Sequence, residues 1–371
     1  MLTLKEKFLG CIAGSWVGSA MGAPVEGWTP ERIRDTYGFL DNLLPYRHYT
    51  DYTDWERPPG TTEDGIERQR LIATAIIGKR DRIVADDLIR VWLRDLDPDK
   101  MIYKQERFDL SLLELARAGV PPPELGSLWP FQTAVTVARA SHPLGLINAG
   151  HPQGAADDTF EVGKVYFRET AFGLRWAALY NAAVAEACKP DATVGSVLDV
   201  VREFANYRAE HATLTARYDT IAREVDHALA LVENHTEASA LRDAFYEFYR
   251  GGDYVTYGQS QANEVVSKGL AIVALTGGNP KEAILTAVNF GRDTDCLAAV
   301  AGGLAGALSG PKDIPTEWIV QVNEATRCDP YTNNQRTIEE TADGLYEVFM
   351  TRRECLREYV DMMEQPGFLS Q

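Results

Sequence analysis

Hydrophobic positions recur with helical spacing along almost the whole chain. Leu4, Phe8, Cys11, Ile12 and Ser15 fall on one helix face, and Gly10, Gly14, Gly18 and Gly22 form a ridge on the other side. Such a ridge lets another helix or a ligand approach the backbone closely. The same periodicity predicts helices over residues 68–78, 84–94, 107–118, 131–140, 159–190, 194–206, 210–231, 236–250, 261–275, 280–289, 295–309, 316–325 and 337–362. The alternating pattern of strands is nearly absent, so the expected fold is all-α with about a dozen helices. Gly302, Gly306 and Gly310 echo the N-terminal ridge, and the two glycine-ridged helices are expected to pack together.

Three stretches break the periodicity and read as long loops. Residues 23–62 hold Pro24, Pro45, Pro58 and Pro59 with the aromatics Trp28, Tyr37, Tyr46, Tyr49, Tyr52 and Trp55; residues 119–130 contain Pro121, Pro122 and Pro123; residues 142–157 are rich in glycine. Loops of this length usually carry function or are disordered, and their aromatic and glycine content favours a site. No linker or shift in composition divides the chain, which predicts one domain over residues 1–371.

The 371 residues are 45% hydrophobic and 25% charged, enough for a large core. A net charge of −17 argues against nucleic acid or an anionic membrane as partner. Five irregularly spaced cysteines fit a reducing, cytoplasmic compartment better than a disulfide scaffold. The uncharged run from Phe8 to Val25 has a signal peptide's outline, but its glycine spacing fits an interior helix better.

The chemistry concentrates in two acidic motifs near opposite ends of the chain. Asp293 and Asp295 flank Thr294 at the mouth of an uncharged, small-residue helix, with Cys296 following. Thr62, Glu63 and Asp64 present oxygen-bearing side chains where another helix begins near Gly65. Buried carboxylates need cations or hydrogen bonds, and magnesium and manganese prefer such oxygen donors. Each motif taken singly also fits a helix N-cap. Taken together they point to a site for hard metal ions, which polarise a substrate oxygen and generate a hydroxide-like nucleophile. Arg292 is placed to meet a phosphate or to pair with a metal-site carboxylate. Asn148, His151 and Gln153 are candidate contacts to ribose or base, and the aromatic loop of Tyr49, Tyr52 and Trp55 is a candidate base-stacking surface. Asp157 and Asp158 read as a helix N-terminus.

These motifs resemble those of the ADP-ribosylglycohydrolase family. The family's opening Gly-Asp-Ala-hydrophobic-Gly-Ala-Pro-Val-Glu matches Gly18 to Glu26, with Ser19 replacing the aspartate. Its Thr-Asp-Asp-Thr matches Thr62 to Gly65, and its Gly-Gly-Asp-Thr-Asp-Thr matches Gly291 to Cys296. The resemblance implies a multi-helix orthogonal bundle. It also implies a centre of two Mg2+ or Mn2+ ions that holds ribose hydroxyls and activates water at the anomeric carbon. Thr62, Glu63, Asp64, Asp293, Asp295 and Cys296 match the ligand positions, and Glu26 and Asp64 are the expected catalytic acids. The implied substrate is an ADP-ribosylated protein or a ribosyl-phosphate small molecule. Ser19, the longer Glu63, Gly65, Arg292 and Cys296 depart from the family pattern. They leave open one metal rather than two, a nucleotide-like metabolite as substrate, or a member that binds without catalysis.

Overall fold

The computed structural model describes residues 2–48, 55–209, 220–249 and 259–365. Nineteen α-helices and one short 3-10 helix are present among the described residues, with no strands beyond two isolated bridges. In chain order the first ten are α1 (Leu4–Gly22), α2 (Pro30–Tyr37), α3 (Asp64–Lys79), α4 (Ala85–Asp95), α5 (Pro98–Lys104), α6 (Arg107–Arg117), α7 (Pro122–Leu128), α8 (Thr136–Ala140), α9 (His142–Ile147) and α10 (Pro152–Gly163). The remainder are α11 (Phe172–Ala187), α12 (Val194–Phe204), α13 (Thr220–Asn234), α14 (Ala238–Tyr249), α15 (Ala262–Leu275), α16 (Pro280–Val288), α17 (Thr294–Ser309), α18 (Thr316–Cys328) and α19 (Ile338–Met363).

The fold is all-α as expected, but it has more helices than the periodicity gives. Several of the extra ones start on prolines: Pro30, Pro122 and Pro152 in segments read as loops, and Pro98 between two expected helices, each at the first helical position. Proline suits that position because its fixed φ is helical and no N–H is needed there. The single helix expected over 159–190 is two helices, α10 and α11. Asp157 and Asp158 consequently lie in the middle of α10 and not at a helix start.

Among the longer helices, α1, α11, α15 and α17 are buried almost all round, as helices with little polar surface must be. α1 is long and apolar enough to cross a membrane, yet it is packed inside the fold. α1 and α17 run antiparallel with their glycine ridges facing. A Cβ on Gly10, Gly14, Gly18 or Gly22 would overlap backbone atoms of Gly306, Gly302, Ala298 or Thr294 respectively. This close approach is the packing expected of the two ridges. It brings the C-terminal end of α1 against the N-terminal end of α17, where the Thr294 hydroxyl donates to the Gly22 carbonyl at 2.7 Å.

A buried polar network sets α3 against this pair. Gln69 accepts from Trp16 Nε1 at 2.7 Å and donates to Ser15 Oγ at 3.1 Å and His142 Nδ1 at 3.0 Å. His142 Nε2 meets Tyr180 Oη at 2.8 Å, and that hydroxyl donates to the Val300 carbonyl. Burial lowers the His142 pKa to about 4, so the ring is neutral, and the network assigns its proton to Nε2.

The seam admits no side chain, since the obstruction is backbone that cannot rotate away. Gly14→Leu is expected to destabilise the chain by about 3 kcal/mol. Gly78→Ala, in α3 with nothing within 4 Å of the new methyl, is expected to leave stability unchanged or slightly raised. Urea unfolding of both variants checks this; equal midpoints would contradict the packing.

Candidate functional site

The end of α1 leads through the 3-10 helix Ala23–Val25 to Glu26. Two backbone hydrogen bonds fix this segment to the start of α17: Gly27 N donates to Arg292 O, and Arg292 N to Trp28 O, both at 2.7 Å. The turn between them is tight. Gly291 and Arg292 both have positive φ, at 78° and 68°, and a Cβ on Gly291 would lie 2.8 Å from Pro30 N. Arg292 tolerates this conformation because its guanidinium is held by Glu264 of α15 at 2.6 and 3.0 Å. The carboxylate it pairs with, Glu264, lies outside the two acidic motifs, which differs from the expected pairing with a metal-site acid.

Asp293 and Asp295 emerge from this turn into a buried space. Neither motif behaves as an ordinary helix cap. Asp293 occupies the N-cap of α17 and Glu63 that of α3, and neither makes a side-chain cap hydrogen bond. Both carboxylate oxygens of Asp293 and Oδ1 of Asp295 are buried without a hydrogen-bond partner. Burial, reinforced by the charges of Glu26 and Asp293, pushes the Asp295 pKa well above the usual carboxylate range. A cation is the simplest partner for such a group of oxygens.

The upstream motif is in a different state, because protein cations already occupy it. Arg68 and Arg139 both bind Asp64 Oδ2, the latter at 2.6 Å. Burial would raise Asp64, but Arg139 and Arg68 outweigh it and hold the pKa at about 2. Glu63 meets the Tyr46 hydroxyl on Oε1, with Arg57 Nε 3.8 Å from the same oxygen. His48 Nε2 lies 3.6 Å from Glu63 Oε2 and 3.3 Å from Glu26 Oε2. Against the cost of burial, His48, Arg57 and Lys104 keep Glu63 below its ordinary pKa. Burial also opposes charge on His48, yet Glu63 and Glu26 lift it to about 9. Glu26 itself is raised to about 7, chiefly by burial, with the His48 hydrogen bond working the other way.

The two motifs meet at Arg139 of α8. Its Nη2 binds Asp64, while Nη1 donates to Cys296 Sγ at 2.9 Å and lies 3.7 Å from Asp295 Oδ2. Ser19 Oγ accepts from Glu63 N at 3.3 Å, giving the residue that departs from the family's aspartate a capping role. Thr62 is buried, and its carbonyl accepts from Lys104 Nζ at 2.6 Å.

The other sequence candidates divide. Trp55 lies one residue out from Glu63: the Arg57 guanidinium sits 5.1 Å from its ring, and Tyr331 packs edge-on at 4.8 Å. Tyr49 and Tyr52 fall outside the described residues. Asn148 is held by Asp158, 2.6 Å away, which pairs with Arg82; His151 lies beside Asn148, and Gln153 is exposed on the same turn. None of the hydrogen bonds described for these three residues reaches an acid of the site. Sequence reasoning missed Tyr46, His48, Arg57, Arg139 and the Glu264–Lys268 ion pair. Only the last left a signal, two opposite charges four residues apart in an otherwise uncharged helix.

Among the described residues, carboxylate and thiol groups close enough to share an ion occur at Asp293, Asp295 and Cys296, and at Asp64, Glu106 and Asp109. The second cluster surrounds the Arg68 guanidinium. The first has free, hard oxygen donors and fits one divalent cation, although its thiol is a poor ligand for magnesium or manganese.

Comparison with known proteins bears on the fold and the family. An uncharacterized protein of Archaeoglobus fulgidus is 25% identical over 359 residues, covering 94% of this chain and 98% of its own length. The ADP-ribosylarginine hydrolase Tri1 of Pseudomonas putida is 36% identical over 74 residues, 18% of this chain and 20% of that protein. A solved structure described as an ADP-ribosylglycohydrolase-related protein complex superposes with a TM-score of 0.63 at 18% identity, covering 94% of this chain and all of that one. The family model for ADP-ribosylglycohydrolase matches residues 1–355, and the chain therefore belongs to the ADP-ribosylglycohydrolase family.

Proposed function

We propose that this chain is a divalent-metal-dependent glycosidase that hydrolyses the bond between the ribose of ADP-ribose and its acceptor, with an arginine side chain as the first acceptor to test. Family membership supports hydrolysis of ADP-ribose conjugates in general. The arginine linkage draws on the name of the Pseudomonas putida relative. The observation that carries the reading is the set of unpartnered, buried oxygens on Asp293 and Asp295, close to Glu26.

In this reading Asp293 and Asp295 hold one Mg2+ or Mn2+. When bound, such an ion supplies Lewis acidity and a template for vicinal ribose hydroxyls. Glu26 is the proton-transfer group. Cleavage through an oxocarbenium-like state needs a carboxylate that accepts a proton from the attacking water and returns it to the leaving group. A carboxyl with a pKa of about 7 is suited to both halves of that task. His48, hydrogen-bonded to Glu26, orients it and steadies its anionic form. The aromatic surface of Trp55, Tyr103 and Tyr331 lies beyond Arg57 and offers stacking for the adenine. All five cysteines are free, in keeping with the proposed cytoplasmic location.

A second reading, ADP-ribose binding without hydrolysis, draws on the ion pairs that Asp64 and Glu63 already make. Turnover separates the two. With Mg2+ or Mn2+ present, release of ADP-ribose from an ADP-ribosylarginine conjugate is expected by chromatography. Binding of ADP-ribose with no release from arginine-, serine- or nucleotide-linked ribose would support the second reading instead. Glu26→Gln is expected to lower kcat about 100-fold or more with KM little changed; an unchanged kcat would remove Glu26 from the chemistry. Asp293→Asn is expected to abolish Mn2+ binding in calorimetry, and retained affinity would place the ion elsewhere.

A further inference from the structure

We propose that the Arg139 guanidinium serves as the second cation of this site, filling the space between the two acidic motifs so that the pocket takes a single divalent ion. The proposal rests on the reading that Asp293 and Asp295 hold an ion.

The guanidinium is buried and touches both motifs at once. Its partners are Asp64 Oδ2 at 2.6 Å, Cys296 Sγ at 2.9 Å and Asp295 Oδ2 at 3.7 Å. Guanidinium is always charged and offers donors in a rigid plane, so one group bridges carboxylates from opposite ends of the chain. A divalent ion shared by Asp64 and Asp295 would need the same volume and the same oxygens.

Two departures from the family pattern, one in each motif, converge on this side chain. Gly65 is the first. A Cβ at that position would lie 2.8 Å from Arg139 Cδ and 3.2 Å from Cγ and Nε, so a threonine there would collide with the arginine stem. Cys296 is the second. A thiol serves a hard cation poorly, yet here it accepts a hydrogen bond from Nη1. Gly65 thus makes room for the arginine, and Cys296 contacts its head. Asp64 Oδ2, the oxygen that faces Arg139, is also bound by Arg68, so two guanidinium groups share it. The fully buried site oxygens without a hydrogen-bond partner are on the other side of the pair, on Asp293 and on Oδ1 of Asp295.

The test counts Mn2+ ions per full-length chain by calorimetry and equilibrium dialysis, with electron paramagnetic resonance to detect spin-coupled manganese pairs. Circular dichroism verifies that each variant is folded. One ion is expected in the wild type and in Arg139→Lys, which keeps the charge. Two ions with a coupled signal are expected in the double variant Arg139→Gln/Cys296→Thr. Gly65→Thr evicts the arginine stem from the other side and is expected to gain an ion as well. Two ions in the wild type would overturn the proposal while leaving the Asp293–Asp295 centre intact. Folded Arg139→Gln/Cys296→Thr and Gly65→Thr variants that both keep the wild-type count would also overturn it, whatever that count is. A wild type that binds none would count against the ion at Asp293 and Asp295. The gain of one ion on removing Arg139 would still support its blocking role.

Discussion

The backbone-to-backbone approach of α1 and α17 is the constraint on which the site depends. These helices lie near opposite ends of the sequence, and only glycine and other small residues allow them to come so close. Because they are antiparallel, the last turn of one meets the first turn of the other. That places Glu26, carried just beyond α1, beside Asp293 and Asp295 at the start of α17. The Thr294–Gly22 hydrogen bond and the Gly27–Arg292 and Arg292–Trp28 backbone pairs then fix the junction to within a hydrogen bond's tolerance. A rigid seam of this kind can hold acids together that would otherwise repel one another and separate.

The second governing feature is how that repulsion is met. Glu26, Glu63, Asp64, Asp293 and Asp295 form a buried acidic group, and uncompensated charges there would be strongly destabilising. The compensation is uneven. Arg68, Arg139, Arg57 and His48 neutralise the upstream acids, and Glu264 engages Arg292 and Lys268 alongside. Asp293 and Oδ1 of Asp295 are left buried without hydrogen-bond partners. This asymmetry, more than the number of carboxylates, determines where an exogenous cation fits.

Much of this could be read from the residues. The four-residue glycine spacing in α1 and its echo in α17 foretold the seam, since that spacing lines one helical face. Two acids at the mouth of an uncharged helix foretold a buried acidic cluster, because nothing else in that helix could solvate them. Two things escaped. Proline-initiated helices such as α2 and α7 were hidden because they are short, and proline in an aromatic or polar segment looks the same at a helix start as in a loop. The cations of the site were hidden because their pairings are non-local. Arg139 sits in a short alanine-flanked turn 75 positions from Asp64 and 157 from Cys296, a distance no periodicity spans. Tyr46 and His48 enter through a loop closed by the Tyr46–Arg57 bridge, which leaves no trace in spacing. Gly65 carried a faint clue: a glycine where the family has a larger residue implies that something else fills the space.

The most direct measurement is a crystal structure of the chain grown with Mn2+, with anomalous diffraction recorded at the manganese edge. The account predicts one anomalous peak, bound by Asp293 and Asp295, with the Arg139 guanidinium still between Asp64 and Cys296. A peak between Asp64 and Asp295, with Arg139 displaced, would contradict it.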